Sequence, residues 1–166
     1  MLGVLATAAA FTLTSAAFTN DGNIPSKFTC DAGMQNPSPA LEWKDAPAGT
    51  KSFALIMHDP DAPMAGGFTH WVLFDIPAVT MRLPEAFQPG SVGVSGNSGF
   101  RQAGYGGPCP PSGVHHYHFT LSALDVPSLT SSGAQAGASK ADVEKAMQGH
   151  VLGTAELIGL YQRQAK

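Results

Sequence analysis

The chain has 166 residues, which suits one domain with one sizeable hydrophobic core. Charged residues make up only 13% of the sequence, while 19 glycines and 13 prolines favour short strands and many turns over long helices. The formal net charge is −3, and the nine Lys and Arg residues are scattered rather than grouped in a basic stripe. We therefore expect no nucleic-acid partner. We also expect no transmembrane segment, because no apolar run reaches the roughly 18 residues that span a bilayer.

The first ten residues are apolar and small, and the alanines at 8–10 resemble the cleavage site of an export signal. Against an export signal, no basic residue precedes this segment and its apolar part is short. A cytoplasmic and a periplasmic or secreted location are therefore equally open. We interpret residues 1–10 as an N-terminal extension or a remnant of an export signal, and residues 11–166 as a single domain.

Short segments of alternating or continuous apolar residues predict mainly β-structure. The predicted strands, in chain order, are residues 11–17, 41–43, 52–57, 70–76, 114–124 and 151–161. Residues 52–57 form a nearly continuous apolar run, which is typical of a central strand buried on both faces. The last segment, 151–161, also fits a second helix, although we favour a strand.

One short helix is predicted at residues 141–148. Ser139 and Asp142 resemble a capping box that opens this helix, and Gly149 suits its C-terminal cap. The sequence thus predicts one mainly β domain with one or two short helices. A loop at residues 84–113 holds eight glycines and five prolines, and so long a loop usually has a functional reason.

The first polar cluster follows the predicted strand at residues 52–57 directly. Asp59 and Asp61 are expected at the end of this strand, where Pro60 and Pro63 restrict the direction of their side chains. An ordinary turn in which an aspartate caps backbone amides explains the same pattern.

The predicted strand at 70–76 begins with His70, and alternation places this residue on the same face as Val72, Phe74 and Ile76. A histidine on an apolar face is more often a core residue with satisfied hydrogen bonds than a ligand-binding residue.

Alternation along the strand at 114–124 places its polar residues on two opposite faces. His115 and Tyr117 share the apolar face, which suits the rim of a pocket, while His116 and His118 share the solvated face. Because three histidines on two faces cannot converge, we expect no metal site. The glycines that precede this strand can direct backbone N–H groups toward an anion.

Cys30 and Cys109 are far apart in the sequence and lack the spacing of a zinc or redox motif. They are either two buried thiols or a disulfide. A disulfide would close a loop of roughly 80 residues and contribute about 4 kcal/mol in the chain-entropy model.

Taken together, these segments resemble the phosphatidylethanolamine-binding family, also called the Raf kinase inhibitor protein family. The sequence Asp-Pro-Asp-Ala-Pro at 59–63 matches the first signature of the family, with Gly-Phe-Thr-His-Trp at 67–71 at the expected distance. Gly-Val-His-His-Tyr at 113–117 resembles the second signature, with His116 where many relatives have arginine. Gly-Gly-Pro-Cys-Pro-Pro at 106–111 resembles the bacterial and archaeal branch, and the resemblance spans residues 11–163.

The resemblance implies a large central antiparallel β-sheet packed on a smaller sheet. It also implies non-enzymatic binding of a small anion, such as phosphate or a phospholipid head group like phosphoethanolamine, without a cofactor. The residues that correspond to the pocket of the family are Asp59, Asp61, His70, His115 and Tyr117, with the backbone of Gly106, Gly107 and Pro108. Bacterial relatives suggest a homodimer.

Two other functions remain open at this point. A hydrolase would use His70 or His115 as a general base, although the Gly-x-Ser-x-Gly pattern of serine hydrolases is absent. An interaction module would inhibit a kinase or protease partner by presenting its loops.

Overall fold

The structure is a computed structural model that describes residues 8–33 and 35–164. Its strands are Thr12–Thr14 (β1), Gly22–Asn23 (β2), Leu41–Lys44 (β3), Ser52–Asp59 (β4), Phe68–Pro77 (β5), Arg82–Leu83 (β6), Val94–Ser95 (β7), His115–Leu124 (β8) and Val151–Tyr161 (β9). The α-helix is Lys140–Met147 (α1), and short 3-10 helices occupy Ser26–Phe28, Cys30–Ala32 and Thr130–Ser132. The predicted N-terminal extension falls mostly outside the described residues.

The strands form two sheets of unequal size. The larger sheet has six strands in the order β2-β9-β8-β4-β5-β7, and the smaller has three in the order β1-β3-β6. All neighbouring strands of the larger sheet are antiparallel except β2, which pairs with β9 in parallel. The mainly β fold that we predicted, with a large sheet packed on a smaller one, is confirmed.

Strand β4 lies inside the large sheet because its apolar run covers both faces. Phe53, Leu55 and Met57 join the core shared with the small sheet. Ala54 and Ile56 point the other way, into a second core that includes buried residues of α1. Burial on both faces explains the continuous apolar sequence of this strand.

Most predicted elements differ from the structure by a few residues at their ends. The strand predicted at 11–17 is limited to β1, because the Ser15 hydroxyl donates to the Ala40 carbonyl at 2.6 Å and accepts from the Ala17 amide, which closes a local turn. The strand favoured at 151–161 is confirmed with the same bounds, as β9. Helix α1 begins one residue earlier than predicted, with the Ser139–Asp142 capping box present. Within residues 8–33 and 35–164, no helix has the length and apolarity needed to cross a membrane.

Candidate functional site

A β-bulge brings His70 to the end of strand β4. Met57 lies opposite Trp71, but the next residue, His58, lies opposite Thr69. His70 is therefore an extra residue in β5, and such bulges bend a strand and re-aim its side chains.

The predicted alternation for His70 is wrong because of this bulge. Val72 and Phe74 pack in the core beneath α1, whereas His70 lines a cavity on the opposite face of the sheet. A second register shift, near Asp75, also sends Ile76 into the core shared with the small sheet. Without the first bulge, His70 and Asp59 would lie on opposite faces of the sheet.

The cavity has a volume of about 190 Å³, which is below the usual range of drug-sized ligand pockets and suits a small ligand. Its lining residues are Asp59, Ala62, Pro63, Met64, Phe68, His70, Phe100, Cys109, Pro110, Pro111, His115 and Tyr117. The four polar members, Asp59, His70, His115 and Tyr117, are buried. The ends of strands β4, β5 and β8 thus provide the polar groups, and loops together with Phe68 of β5 provide the apolar wall.

His115 is oriented by the buried carboxylate of Asp59. Its Nδ1 donates to Asp59 Oδ2 at 2.7 Å, while Asp59 Oδ1 accepts from the Asp61 amide at 2.8 Å. Since a carboxylate oxygen accepts, Nδ1 of His115 carries a proton and Nε2 is left for another partner.

His70 is fixed in the same way by a backbone carbonyl. Its Nδ1 donates to the Gly106 carbonyl at 2.7 Å, and the Gly106 amide donates back to the His70 carbonyl at 2.9 Å. Burial lowers the pKa of His70, although the hydrogen bond to Gly106 opposes this shift. The neutral ring therefore presents Nε2 as an acceptor, and the protonated ring presents it as a donor.

The Tyr117 side chain is completely buried between the two histidines. Its ring centroid lies 5.2 Å from that of His70 and 6.4 Å from that of His115. Its hydroxyl hydrogen has no acceptor among the described residues. Burial and the carboxylates of Asp59 and Asp61 raise the pKa of Tyr117 well above its usual range, so the phenol stays a donor.

Asp61 does not line the cavity, contrary to the prediction. Its Oδ2 accepts from the His116 amide at 2.8 Å and from His116 Nδ1 at 2.7 Å on the exposed face of β8. These hydrogen bonds, the side-chain bond first, lower the pKa of Asp61. Asp61 therefore fixes the turn after β4 and the outer face of β8.

The backbone of Gly106, Gly107 and Pro108, which was predicted to line the pocket and offer N–H groups to an anion, does not line the cavity either. The Gly107 amide donates to Asn36 Oδ1 at 2.9 Å, and the Gly106 amide is paired with His70. Proline has no N–H, and the Pro108 carbonyl accepts from the Cys30 amide at 3.0 Å. This segment supports His70 through Gly106 instead of offering N–H groups to a ligand.

Cys30 and Cys109 form a disulfide, with their Cα atoms 5.4 Å apart. Cys109 lines the cavity beside Pro110 and Pro111. The bond therefore ties one wall of the cavity to the 3-10 helix Cys30–Ala32.

The sequence reasoning missed the apolar wall of the cavity. Phe68 and Phe100 pack edge-to-face with ring centroids 4.7 Å apart, and each also contacts the ring of His70. Phe68 lies in the segment 67–71 that carries the family resemblance, so the sequence contained a signal that could have identified it. Phe100 lies in the glycine-rich loop at 84–113, where no periodic pattern predicts the direction of its side chain.

A sequence model described as phosphatidylethanolamine-binding protein matches residues 14–162. The chain belongs to this family. It is 49% identical to a UPF0098 protein of Aquifex aeolicus over 154 residues, which are 90% of this chain and 86% of that protein. It is also 49% identical to a UPF0098 protein of Methanothermobacter thermautotrophicus, over 89% of this chain and 95% of that protein.

Two solved structures of the phosphatidylethanolamine-binding family share the fold. Escherichia coli YbcL, described as a new member of the mammalian PEBP family, superposes with a TM-score of 0.84 at 32% identity, over 94% of this chain and all of that one (100%). Chlamydia trachomatis CT736, described as a putative homologue, gives a TM-score of 0.82 at 36% identity, over 93% and 99% of the two chains. Family membership supports ligand binding as the general function.

Proposed function

We propose that this protein is a non-enzymatic binding protein for a small phosphate-like anion, held in the cavity of Asp59, His70, His115 and Tyr117. The ligand is phosphate itself or a phosphoryl head group such as phosphoethanolamine. The buried Tyr117 hydroxyl carries the proposal, because its hydrogen has no acceptor among the described residues. A buried donor without a partner costs free energy, which an anionic oxygen would recover.

The two histidines supply the remaining donors. Their Nδ1 atoms are bonded to Asp59 and Gly106, so each ring has only Nε2 for a ligand. Imidazolium N–H groups form short, charge-assisted hydrogen bonds to anionic oxygens. Within the described part of the chain, neither Lys nor Arg lines the cavity, so the positive charge must come from histidine protonation.

The Asp59 carboxylate beside an anion site has a positioning role. It holds the His115 ring by Nδ1 and so leaves Nε2 available to the ligand. Its own oxygens are already taken by His115 and the Asp61 amide, which reduces its repulsion of the ligand.

Among the described residues, the lining contains no serine, and its one cysteine, Cys109, is disulfide-bonded. This supports a binding role over hydrolysis through a serine or cysteine nucleophile. A screen of ester and phosphoester substrates with His115→Ala as the control tests this part. Turnover that the substitution abolishes would contradict it.

Titration calorimetry with inorganic phosphate tests the binding role. We expect the wild type to bind, and both His70→Ala and Tyr117→Phe to bind at least about tenfold more weakly, since each loses a hydrogen bond to a charged group. His116→Ala is the matched control, because it removes a histidine next to Tyr117 in β8 that lies outside the cavity. Equal affinity in all four proteins, or binding in none, would contradict the proposal.

We also propose that the protein functions in an oxidising compartment, where a disulfide such as Cys30–Cys109 persists. Thiol labelling of the protein in its native cells tests this, and labelling of both cysteines without prior reduction would contradict it. The kinase or protease partner and the homodimer stay predictions.

A further inference from the structure

The cavity has a polar interior and an apolar mouth. Asp59, His115 and Tyr117 are buried, whereas Met64 and Phe100 are 51% and 46% exposed at the same cavity. A phosphate ion held by the buried groups would not cover these two side chains. Exposed apolar side chains at the entrance of a pocket mark a place where further apolar surface can be buried.

Phe100 is held in place although it is half exposed. It lies in a tight turn in which the Arg101 amide donates to the Ser98 carbonyl at 2.9 Å and the Phe100 amide donates to Ser98 Oγ at 3.3 Å. The Gly99 amide ties the turn to the Thr69 carbonyl of β5 at 2.8 Å. The turn therefore fixes the position of the ring relative to the bulge at His70.

Two glycines make room for the aromatic wall. A Cβ at Gly106 would lie 2.4 Å from the Phe100 ring, and a Cβ at Gly99 would lie 2.5 Å from the Phe68 ring. Gly106 is also the residue whose carbonyl orients His70. The residue that positions the anion-binding histidine thus also seats the ring at the mouth.

We infer that the cavity selects an organic anion whose charged head is joined directly to an apolar or aromatic group, and that Phe100 is the residue that determines this specificity. The inference rests on the proposed anion binding and names the class of ligand. The charged head lies against His70, His115 and Tyr117, and the substituent lies between Met64 and Phe100. Phenyl phosphate is the simplest probe of this class.

Calorimetry with three probes, inorganic phosphate, glycerol phosphate and phenyl phosphate, tests the inference. We expect the wild type to bind phenyl phosphate about tenfold more tightly than the other two, which corresponds to burial of a few tens of Å² of apolar surface. We expect Phe100→Ala to bring the ratio of phenyl phosphate to inorganic phosphate affinity near one. Met64→Ala, also at the mouth, should lower this ratio partly.

Val79→Ala is the matched control, because Val79 is 90% exposed beyond the far end of β5. It should leave the ratio unchanged. A wild-type ratio near one, or a raised ratio that survives both Phe100→Ala and Met64→Ala, would overturn the inference while leaving anion binding intact. Failure of the wild type to bind any of the three probes would instead overturn the proposed function, and the specificity with it.

Discussion

The Nδ1 atom of His115 lies 2.7 Å from Oδ2 of Asp59, and both side chains are buried at the cavity. These residues come from different strands, β8 and β4, that are neighbours in the large sheet. The pair fixes which nitrogen of His115 carries a proton and which faces a ligand.

Replacement of Asp59 by asparagine should weaken phosphate binding about tenfold, because a charge-assisted hydrogen bond to His115 becomes a neutral one. The shape of the side chain is preserved, so a change in cavity volume is not the cause. Calorimetry gives the affinity, and ¹⁵N NMR of the His115 ring reports its tautomer. An increase in affinity would mean that Asp59 acts mainly by repelling the anion, contrary to our account.

Tyr117→Phe should weaken binding and change ligand-free stability little. Without ligand, the free energy of unfolding should stay within about 1 kcal/mol of the wild type, because the hydroxyl hydrogen has no acceptor among the described residues and the oxygen interacts only with the Cys109 backbone. Phosphate should then stabilise the variant less than the wild type. Urea denaturation with and without phosphate measures both effects, and a loss of more than about 1 kcal/mol without ligand would show that the hydroxyl has a structural partner.

Removal of the disulfide should affect both the fold and the cavity. The double variant Cys30→Ser, Cys109→Ser should lose about 2–4 kcal/mol of unfolding free energy, since the bond closes a loop across a sequence separation of 79 residues. Phosphate affinity should also fall, because Cys109 and the adjacent Pro110 are part of the cavity wall. Full affinity in a folded double variant would show that the wall holds without the bond.

Ligand-free stability should depend on pH through His70. Burial lowers the pKa of this residue below the ordinary value of 6.5, so the unfolded chain binds its proton at higher pH than the folded protein. The stability that comes from this difference is complete above the unfolded pKa and is lost as the pH falls through the folded pKa. His70→Gln should therefore flatten the fall in urea midpoint between about pH 7 and about pH 5. His116→Gln, on the exposed face, is the control, and an equal effect of both substitutions would exclude His70 as the cause.

Local patterns were sufficient to predict a mainly β domain, and the family resemblance supplied the arrangement in two sheets. The continuous apolar run of β4 and the alternation of β8 each specify one arrangement, and the capping box specifies the start of α1. Alternation along β8 also correctly predicted that His115 and Tyr117 lie on a different face from His116 and His118.

The side-chain direction of His70 could not be derived from alternation, because one extra residue in β5 reverses it. The family resemblance identified His70 as a pocket residue without revealing the bulge. The roles of Asp61 and Gly107 depend on partners at His116 and Asn36 that are distant in sequence. No local pattern could therefore have separated them from Asp59.

The most direct test of the central claim is a ¹⁵N NMR titration of the histidine rings with sulfate, whose charge does not change near neutral pH. Our account predicts that sulfate shifts the Nε2 resonances of His70 and His115 and raises the pKa of His70, while His116 and His118 stay unchanged. Sulfate-dependent shifts confined to the exposed histidines, or none at all, would contradict anion binding in this cavity.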